Sequence, residues 1–360
     1  MTRVAMTGAN GFLGWHTKLA LRAQEVRSES FAVGKDFDAA TASAAISGTA
    51  RAIHIAGVNR GDESEVRDSN IEFARQFAEA LRRAAEPPPI VTYANSTQST
   101  NGSVYGEAKL RAGAIVAEAA AAVGAEFHDV VLPNLFGEHG RPFYNAVTAT
   151  FCHLLAQGEL PAVDSDKELT LLHAQNAADL LTGQTPASAE VRESVSGLLS
   201  RLKTISDTYA EGEIPDIADP FQRDLFNTYR SYTVDSLMPI RLTRHADARG
   251  SFFEILRSHG GAGQSSFSTT APGISRGDHF HRRKIERFTV LSGDATISLR
   301  RLFTDRVYDF VVDGAHPGAV DMPTGWSHKI TNTGTDTLYT SFWTNDLFDP
   351  QNPDTIAEVV

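Results

Sequence analysis

Only one of the 360 residues is cysteine. With Cys152 alone no intrachain disulfide can form, and a catalytic thiol would need a partner that the sequence does not advertise, so Cys152 reads as a buried helix residue. Basic side chains are in deficit: 33 Lys and Arg stand against 44 Asp and Glu, for a formal charge of −11. Such a chain repels a polyphosphate backbone, which sets nucleic acid aside as a partner. A nucleotide is not excluded, because backbone amides at a helix start bind phosphate whatever the net charge. No stretch approaches the ~18 uninterrupted apolar residues of a membrane span. The first residues, MTRVAMTGANGFLG, reach glycine before an apolar signal segment can form. A cytoplasmic location without membrane insertion is therefore expected. Internal repeats and low-complexity tracts are absent too. What remains is an ordinary globular composition, 41% hydrophobic and 21% charged, in a chain long enough for about two domains.

The first 180 residues alternate β-rich and helical runs, the signature of a parallel sheet covered by helices. Strands are expected at 3–7, 30–34, 52–56, 90–95 and 126–132. Helices are expected at 13–24, 39–46, 70–85 and 105–123, in a Rossmann-like, doubly wound α/β order. Pro87, Pro88 and Pro89 stop the third helix sharply. Residues 186–235 are mostly polar, with helical stretches at 189–202 and 220–229. The domain boundary is expected near 236–240, giving domains of 1–235 and 236–360. Beyond it, short runs rich in Val, Ile, Phe and Thr, separated by Gly, Asp, Asn and Pro, read as an all-β barrel or jelly roll.

Gly8, Gly11 and Gly14 lie directly between the first strand and the first helix. In that setting Gly8 permits a tight turn, Gly11 a close backbone approach to a pyrophosphate, and Gly14 close helix packing. The one-four-seven glycine spacing resembles the short-chain dehydrogenase/reductase pattern of the extended type. That resemblance is carried further by His54-Ile-Ala-Gly57, by Asn70 at a helix, and by Pro133-Asn134-Leu135-Phe136-Gly137. It implies a cofactor site from Gly8, Asn10, Gly11, Phe12, Leu13, Gly14, Lys35, Ala56, Gly57, Lys109 and Asn134. Tyr105 and Lys109 form a YxxxK pair one helical turn apart, so phenol and ammonium share a face. A nearby cation is expected to lower the phenol pKa from about 10, letting Tyr105 exchange a proton with a substrate oxygen. The third catalytic member should be a hydroxyl at the end of the fourth strand, with Ser96 ahead of Thr97. After the second strand stand Lys35, which favours the phosphate of NADPH, and Asp36, which would favour NAD.

In the C-terminal part, Gly273 through His279, His281 and Glu286 to Gly293 matches the first motif of the cupins at every spacing. Pro323 to Asn332 matches the second, with Gly318 one residue closer than usual. Residues two apart on a strand face the same side, so His279 and His281 both point into a barrel. With Glu286 and His328 they make a set of three imidazoles and one carboxylate. It suits Zn²⁺, while Mn²⁺, Ni²⁺ and Fe²⁺ are admissible on ligands alone.

The combination of reductase and cupin is similar to the CapF/WbjC family of capsular polysaccharide enzymes. The resemblance is carried by ANSTQSTNGSVYGEAKL, PNLFGEHGRPFYNAVTATFCHLLAQGE, ADARGSFFEILRS and FWTNDLFDPQNPDT. It implies a homodimeric, bifunctional enzyme acting on a UDP-sugar: the cupin epimerises C3 of a UDP-2-acetamido-2,6-dideoxy-4-hexulose, and the reductase then reduces C4 with NADPH. Lys284, ahead of Arg276 and Tyr339, is the candidate for the epimerase base. Two rival readings stand beside this one. In the first, a simple ketosugar reductase carries a non-catalytic sugar-binding or dimerisation cupin. In the second, the chain is a binding protein that senses NADPH without turnover.

Overall fold

Residues 2–360 are described by a computed structural model, and their contacts group into two units. The first comprises the chain up to Phe136 together with Gly140–Val147 and Lys167–Glu193; the second comprises Gly137–His139, Thr148–Asp166 and Ser194–Val360.

The first unit is built on β1 (Arg3–Met6), β2 (Arg27–Ser30), β3 (Arg51–His54), β4 (Ile90–Ser96) and β5 (Glu126–Leu132). All pair in parallel in the order β2-β1-β3-β4-β5. Its helices are α1 (Phe12–Ala23), α2 (Ala39–Ile46), α3 (Glu63–Arg83) and α4 (Val104–Ala122). One face of the sheet packs α2, α3 and α4 around Phe77, Leu81, Tyr93 and Val116. The other packs Leu21, Leu172, Ala177 and Leu181 against Met6 and Ile53. Strand β1 has neighbours on both sides, so the chain reverses its winding between β1 and β3. That is where open α/β sheets form their ligand crevice. This is the expected Rossmann-like architecture.

Two expected elements of this sheet and its helices move, and the helix expected at 189–202 starts only at Val195, behind a strand at Val191–Ser194. The second strand is Arg27–Ser30, four polar residues, and not 30–34. As an edge strand it is held by its register on β1, Arg3 opposite Arg27 through Met6 opposite Ser30, and apolar content does not mark it. Helix α3 begins at Glu63, ahead of the expected residue 70, because its first turns are charged. Glu63 and Glu65 near its start, and Arg82 and Arg83 at its end, complement the helix dipole.

After β5 come β6 (Asn134–Phe136), α5 (Val147–Ala156), β7 (Glu168–His173), α6 (Ala174–Thr182), β8 (Val191–Ser194), α7 (Val195–Ala210) and α8 (Pro220–Arg230). Cys152 is buried in α5, and burial pushes its thiol pKa up. Among the described residues no helix is long and apolar enough to cross a membrane.

The second unit is dominated by antiparallel strands: β9 (Ile240–Arg241), β10 (Arg244–Asp247), β11 (Gly250–Phe253), β12 (Gln264–Thr270), β13 (Ser275–Phe280), β14 (Glu286–Ser292), β15 (Asp294–Arg301), β16 (Val307–Asp313), β17 (Gly318–Met322), β18 (Trp326–Asn332), β19 (Leu338–Thr344) and β20 (Ile356–Ala357). Two five-stranded sheets, β12-β19-β14-β17-β9 and β16-β15-β18-β13-β20, enclose a core of Phe288, Val290, Ile297, Leu299, Val320, Met322, Trp326 and Ile330. This is the cupin-like double sheet.

Helices α7 and α8 belong with these sheets as contacts define the units, ahead of the boundary expected near 236. The cause is polar as well as apolar. Tyr209 of α7 donates its hydroxyl to Asp321 at 2.8 Å, and Arg230 of α8 donates to Met322 O at 3.0 Å. Arg287 meets Asp321 through two contacts of 2.6 and 2.9 Å and reaches Gly212 O, just past α7, at 2.6 Å. All four side chains are buried. Sequence patterning registers polar residues as surface, so this buried cluster was invisible to it.

Candidate functional sites

The glycine loop follows β1 at the sheet's switch point. Gly8 has φ +70°, and a Cβ there would lie 2.8 Å from Ala56 N. A Cβ on Gly14 would lie 2.0 Å from Gly8 O, so neither position admits a side chain. The turn closes through Gly11 N donating to Gly8 O at 3.0 Å. Gly11 is the N-cap of α1 and supplies no side-chain acceptor. The first-turn amides of α1, next to Phe12 and Leu13, therefore carry the partial positive charge that suits a pyrophosphate. Asn10 and Gly11 are exposed at the tip of the loop.

Behind the loop, Thr7 Oγ1 accepts from Ile55 N at 3.1 Å and Ala56 N at 3.2 Å. Its own proton is then free for His54 Nδ1, 2.8 Å away. Burial, with Lys109 adding to it, depresses the His54 pKa to about 3, so the ring is a neutral acceptor. The loop holding Ala56 and Gly57 is braced from α3. Buried Asn70 donates to Val58 O at 2.6 Å and accepts from Val58 N at 3.3 Å. Lys35 and Asp36 are both exposed beyond β2. Asn134 opens β6 with its amide donated to Thr170 O at 3.1 Å. Trp15 and His16 belong to an aromatic cluster with Phe12 and His173.

Ser103 caps α4, accepting from Gly106 N at 3.1 Å, and so sets Tyr105 and Lys109 in its first two turns. Ser96, at the end of β4, shares a hydrogen bond with the Tyr105 phenol; Thr97 is exposed. Burial raises the Tyr105 pKa, with the Ser96 bond opposing it, so Tyr105 is a protonated acid in this state. This departs from the expected lowering by Lys109. The reason is the ammonium's own burial: Lys109 is 4% exposed, donates to Ala94 O and lies 4.2 Å above the Tyr93 ring. Burial lowers its pKa to about 7, with Asp129 pulling the other way. Patterning had no signal for Asp129, which Asn95 Nδ2 reaches at 3.0 Å while Asn95 Oδ1 accepts Ser96 N at 2.8 Å.

In the second unit the four expected donors come together. One ligand atom from each of His279, His281, Glu286 and His328 lies within 4.8 Å of the others. Glu286 Oε2 is 3.0 Å from His328 Nε2, 3.1 Å from His281 Nε2 and 3.9 Å from His279 Nε2; His279 and His328 Nε2 are 3.1 Å apart. Ligand atoms about 2.0–2.1 Å from one cation in tetrahedral array would stand roughly 3.3 Å from one another. His281 Nδ1 faces Asp354 O at 2.5 Å and His328 Nδ1 faces Trp326 O at 3.3 Å. A carbonyl only accepts, so both rings carry their proton on Nδ1 and direct an Nε2 lone pair at a carboxylate. Lone pairs and a carboxylate oxygen converging without a proton between them fit a divalent cation. Burial depresses His328 to about 4, against the raising effect of Glu286. Neutral imidazole and ionised carboxylate are the forms a metal takes.

Lys284 is 8% exposed, and its ammonium donates to Pro353 O at 2.7 Å and Thr355 Oγ1 at 3.4 Å; it secures the segment after β19. Tyr339 packs on Phe267 on the face of β19 opposite the one that Thr344 shares with Glu286. Arg276 is exposed.

Residues 245–356 match the family model described as the polysaccharide biosynthesis C-terminal domain. The chain is 29% identical over 367 residues to UDP-2-acetamido-2,6-beta-L-arabino-hexul-4-ose reductase of Pseudomonas aeruginosa, across 99% of this chain and 98% of that protein. The crystal structure of the capsular polysaccharide assembling protein CapF from Staphylococcus aureus is similar over 100% of both chains, with 28% identity and a TM-score of 0.61. A GDP-L-fucose synthetase of Naegleria fowleri, solved bound to NADP, shares the fold over 64% of this chain and 92% of that one, at 14% identity and a TM-score of 0.52. Over its whole length the chain is thus similar to CapF and to that reductase, with a Rossmann-like unit joined to a β domain that matches the polysaccharide biosynthesis C-terminal domain.

Proposed function

We propose that the chain is a bifunctional nucleotide-sugar enzyme of surface-polysaccharide synthesis. In this reading the β unit epimerises C3 of a UDP-2-acetamido-2,6-dideoxy-4-hexulose, and the first unit reduces the C4 ketone with NADPH, toward UDP-N-acetyl-L-fucosamine. It works in the cytoplasm as a homodimer. The observation that carries the proposal is that one chain, similar end to end to a named UDP-ketosugar reductase, keeps two complete sets of reactive groups. Ser96, Tyr105 and Lys109 form one; His279, His281, Glu286 and His328 form the other.

NADPH, when bound, would supply the hydride for the ketone carbon, and the chain's own residues would deliver the proton to the ketone oxygen. Tyr105 supplies that proton, Ser96 shares the hydrogen bond to the same oxygen, and charged Lys109 favours the phenolate left behind. The uncapped start of α1 with Gly8, Asn10, Gly11, Phe12, Leu13 and Gly14 receives the pyrophosphate; Ala56, Gly57 and Asn134 border the rest of the cofactor. Lys35 would favour the 2′-phosphate of NADPH. In the epimerisation a proton leaves C3 and returns to the opposite face, with no net change of atoms or electrons. His279, His281, Glu286 and His328 would hold a divalent cation, Zn²⁺ by the donor set, which when bound would supply the Lewis acidity that makes a C–H next to a ketone easier to deprotonate. Glu286 would contribute the balancing charge, and the three imidazoles the remaining donors. Lys284, being committed to the segment after β19, serves this site as a brace.

The test is incubation of the UDP-4-hexulose in D₂O without reduced cofactor, followed by addition of NADPH. The expected result is deuterium at C3 before any reduction, then stoichiometric NADPH oxidation. Reduction without prior exchange would leave a monofunctional ketosugar reductase with a non-catalytic β unit.

A further inference from the structure

His281 is held on its far side by the segment that follows β19. Because its Nδ1 faces a carbonyl, that of Asp354 at 2.5 Å, the ring has one tautomer, with Nδ1 donating and Nε2 carrying the lone pair. Asp354 is buried and sits at φ +44°, a left-handed conformation that a non-glycine residue keeps only where its surroundings impose it. Its carboxylate shows what imposes it: it accepts Arg282 N at 3.0 Å, Arg283 N at 2.9 Å and Lys284 N at 2.8 Å. Three successive amides on one anion make a charge-assisted cap over the turn that joins His281 to Glu286. The Lys284 ammonium on Pro353 O closes the same turn from the other side. Beyond Asp354 the segment stays on the donor strands. In β20, Ala357 lies opposite His279 and Ile356 opposite Phe280, and Ser327, beside His328, donates its hydroxyl to Glu358 O.

On the reading that the four-residue centre binds a divalent cation, we propose that Asp354 is its positioning residue. The carboxylate locks the 282–284 turn, and the carbonyl so placed fixes His281 with its proton on Nδ1 and its lone pair on the cation side. Without it the imidazole would exchange tautomers and rotate, and capture of a cation would have to overcome that freedom as well. Losing such a partner of a ligating histidine typically costs about 10–100-fold in metal affinity.

Two measurements on the full chain test this: Zn²⁺ affinity by competition with a chromophoric chelator, and nitrogen-resolved histidine NMR of the metal-free protein. Asp354→Ala should weaken Zn²⁺ binding by about 10–100-fold and turn the single Nδ1–H signature of His281 into a tautomer average. Asp354→Asn, which keeps one acceptor oxygen for three amides, should fall between that variant and the parent. Thr355→Ala, which removes only hydroxyl contacts to Lys284 and Pro353, should keep parental affinity; a loss there as large as for Asp354→Ala would mean general loosening and overturn the proposal. Parental affinity together with an unchanged His281 signal in folded Asp354→Ala would overturn it too. If that variant does not fold, the same pair of results for Asp354→Asn decides. A parent chain that binds no Zn²⁺ would refute the cation reading by itself, while the His281 signature of the metal-free variants still judges the positioning.

Discussion

Replacing Asp321 with asparagine probes whether the helices before the β sheets are held by charge or by apolar contact alone. In the parent, Asp321 accepts Arg287 Nε at 2.6 Å, Arg287 Nη2 at 2.9 Å and the Tyr209 hydroxyl at 2.8 Å. Asp321 and Tyr209 are 0% and Arg287 1% exposed. Asparagine keeps the shape but removes the charge and turns an amide N–H₂ toward groups that are themselves donors. Arg287 would then be a buried cation without its anion, a loss of about 3–5 kcal/mol. At about 2–4 °C per kcal/mol for a unit of this size, the thermal midpoint should fall by roughly 6–20 °C. Tyr209→Phe removes one donor only and should cost about 1–3 kcal/mol. The assay is thermal unfolding of the full chain followed by near-ultraviolet circular dichroism, with Asp321→Asn, Arg287→Met and the double variant completing a cycle. Because the partners are in contact, the double variant should cost far less than the sum of the singles. Additive costs, or a midpoint for Asp321→Asn within about 2 °C of the parent, would refute the charge argument. The pH dependence has a defined sign. Burial would raise the Asp321 pKa, but Arg287 and Tyr209 hold it below its ordinary value. Its contribution is thus complete above the unfolded-state value of about 3.9 and is lost as pH falls through the folded one.

The two reactions should separate by mutation. Tyr105→Phe is expected to lower NADPH oxidation by about 10²–10⁴-fold while C3 exchange in D₂O continues, and His328→Ala should abolish exchange while leaving reduction of a 4-ketosugar that needs no epimerisation; a single variant that stops both would contradict the division. Lys109, whose pKa burial lowers to about 7, should impose a fall in kcat/KM for reduction as pH rises through that region, because the charged form is the one that favours the Tyr105 phenolate. A profile flat from pH 6 to 9 would contradict it. The same depression means that the unfolded chain binds the extra proton between about 7 and 10.5, so this lysine disfavours folding below 7 and the penalty fades as pH climbs. Gly14→Ala places a Cβ 2.0 Å from Gly8 O and should weaken NADPH binding, read by fluorescence titration, by at least about tenfold.

What was legible in the sequence was what local chemistry dictates. Gly8 and Gly14 announce themselves because no side chain fits where they lie. His279, His281, Glu286 and His328 do so because their residue types and spacing are those of a metal-ligand set, although the fold draws them from β13, the turn after it, β14 and β18. Long-range polar packing was not legible. The RSES strand is set by its register on β1, and Asn70 works through the backbone of a loop a dozen residues earlier. Asp321 lies 34 positions from Arg287, too far for any local pattern to pair them. Asp354 acts through its main-chain oxygen, which no residue pattern encodes.

The way the units share the chain limits how the gene can be dissected. Residues 137–139 and 148–166 are drawn from the middle of the first unit's sequence but belong to the second. A fragment starting at 236 would lack Tyr209, Arg230 and Glu138, which hydrogen-bond Asp321, Met322 O and Thr324. It would expose buried charges to water without their partners. No single cleavage point releases two self-sufficient pieces. Chimeras that exchange the reductase half of one relative for that of another will therefore have to carry the 137–166 region in a form matched to the recipient's β domain.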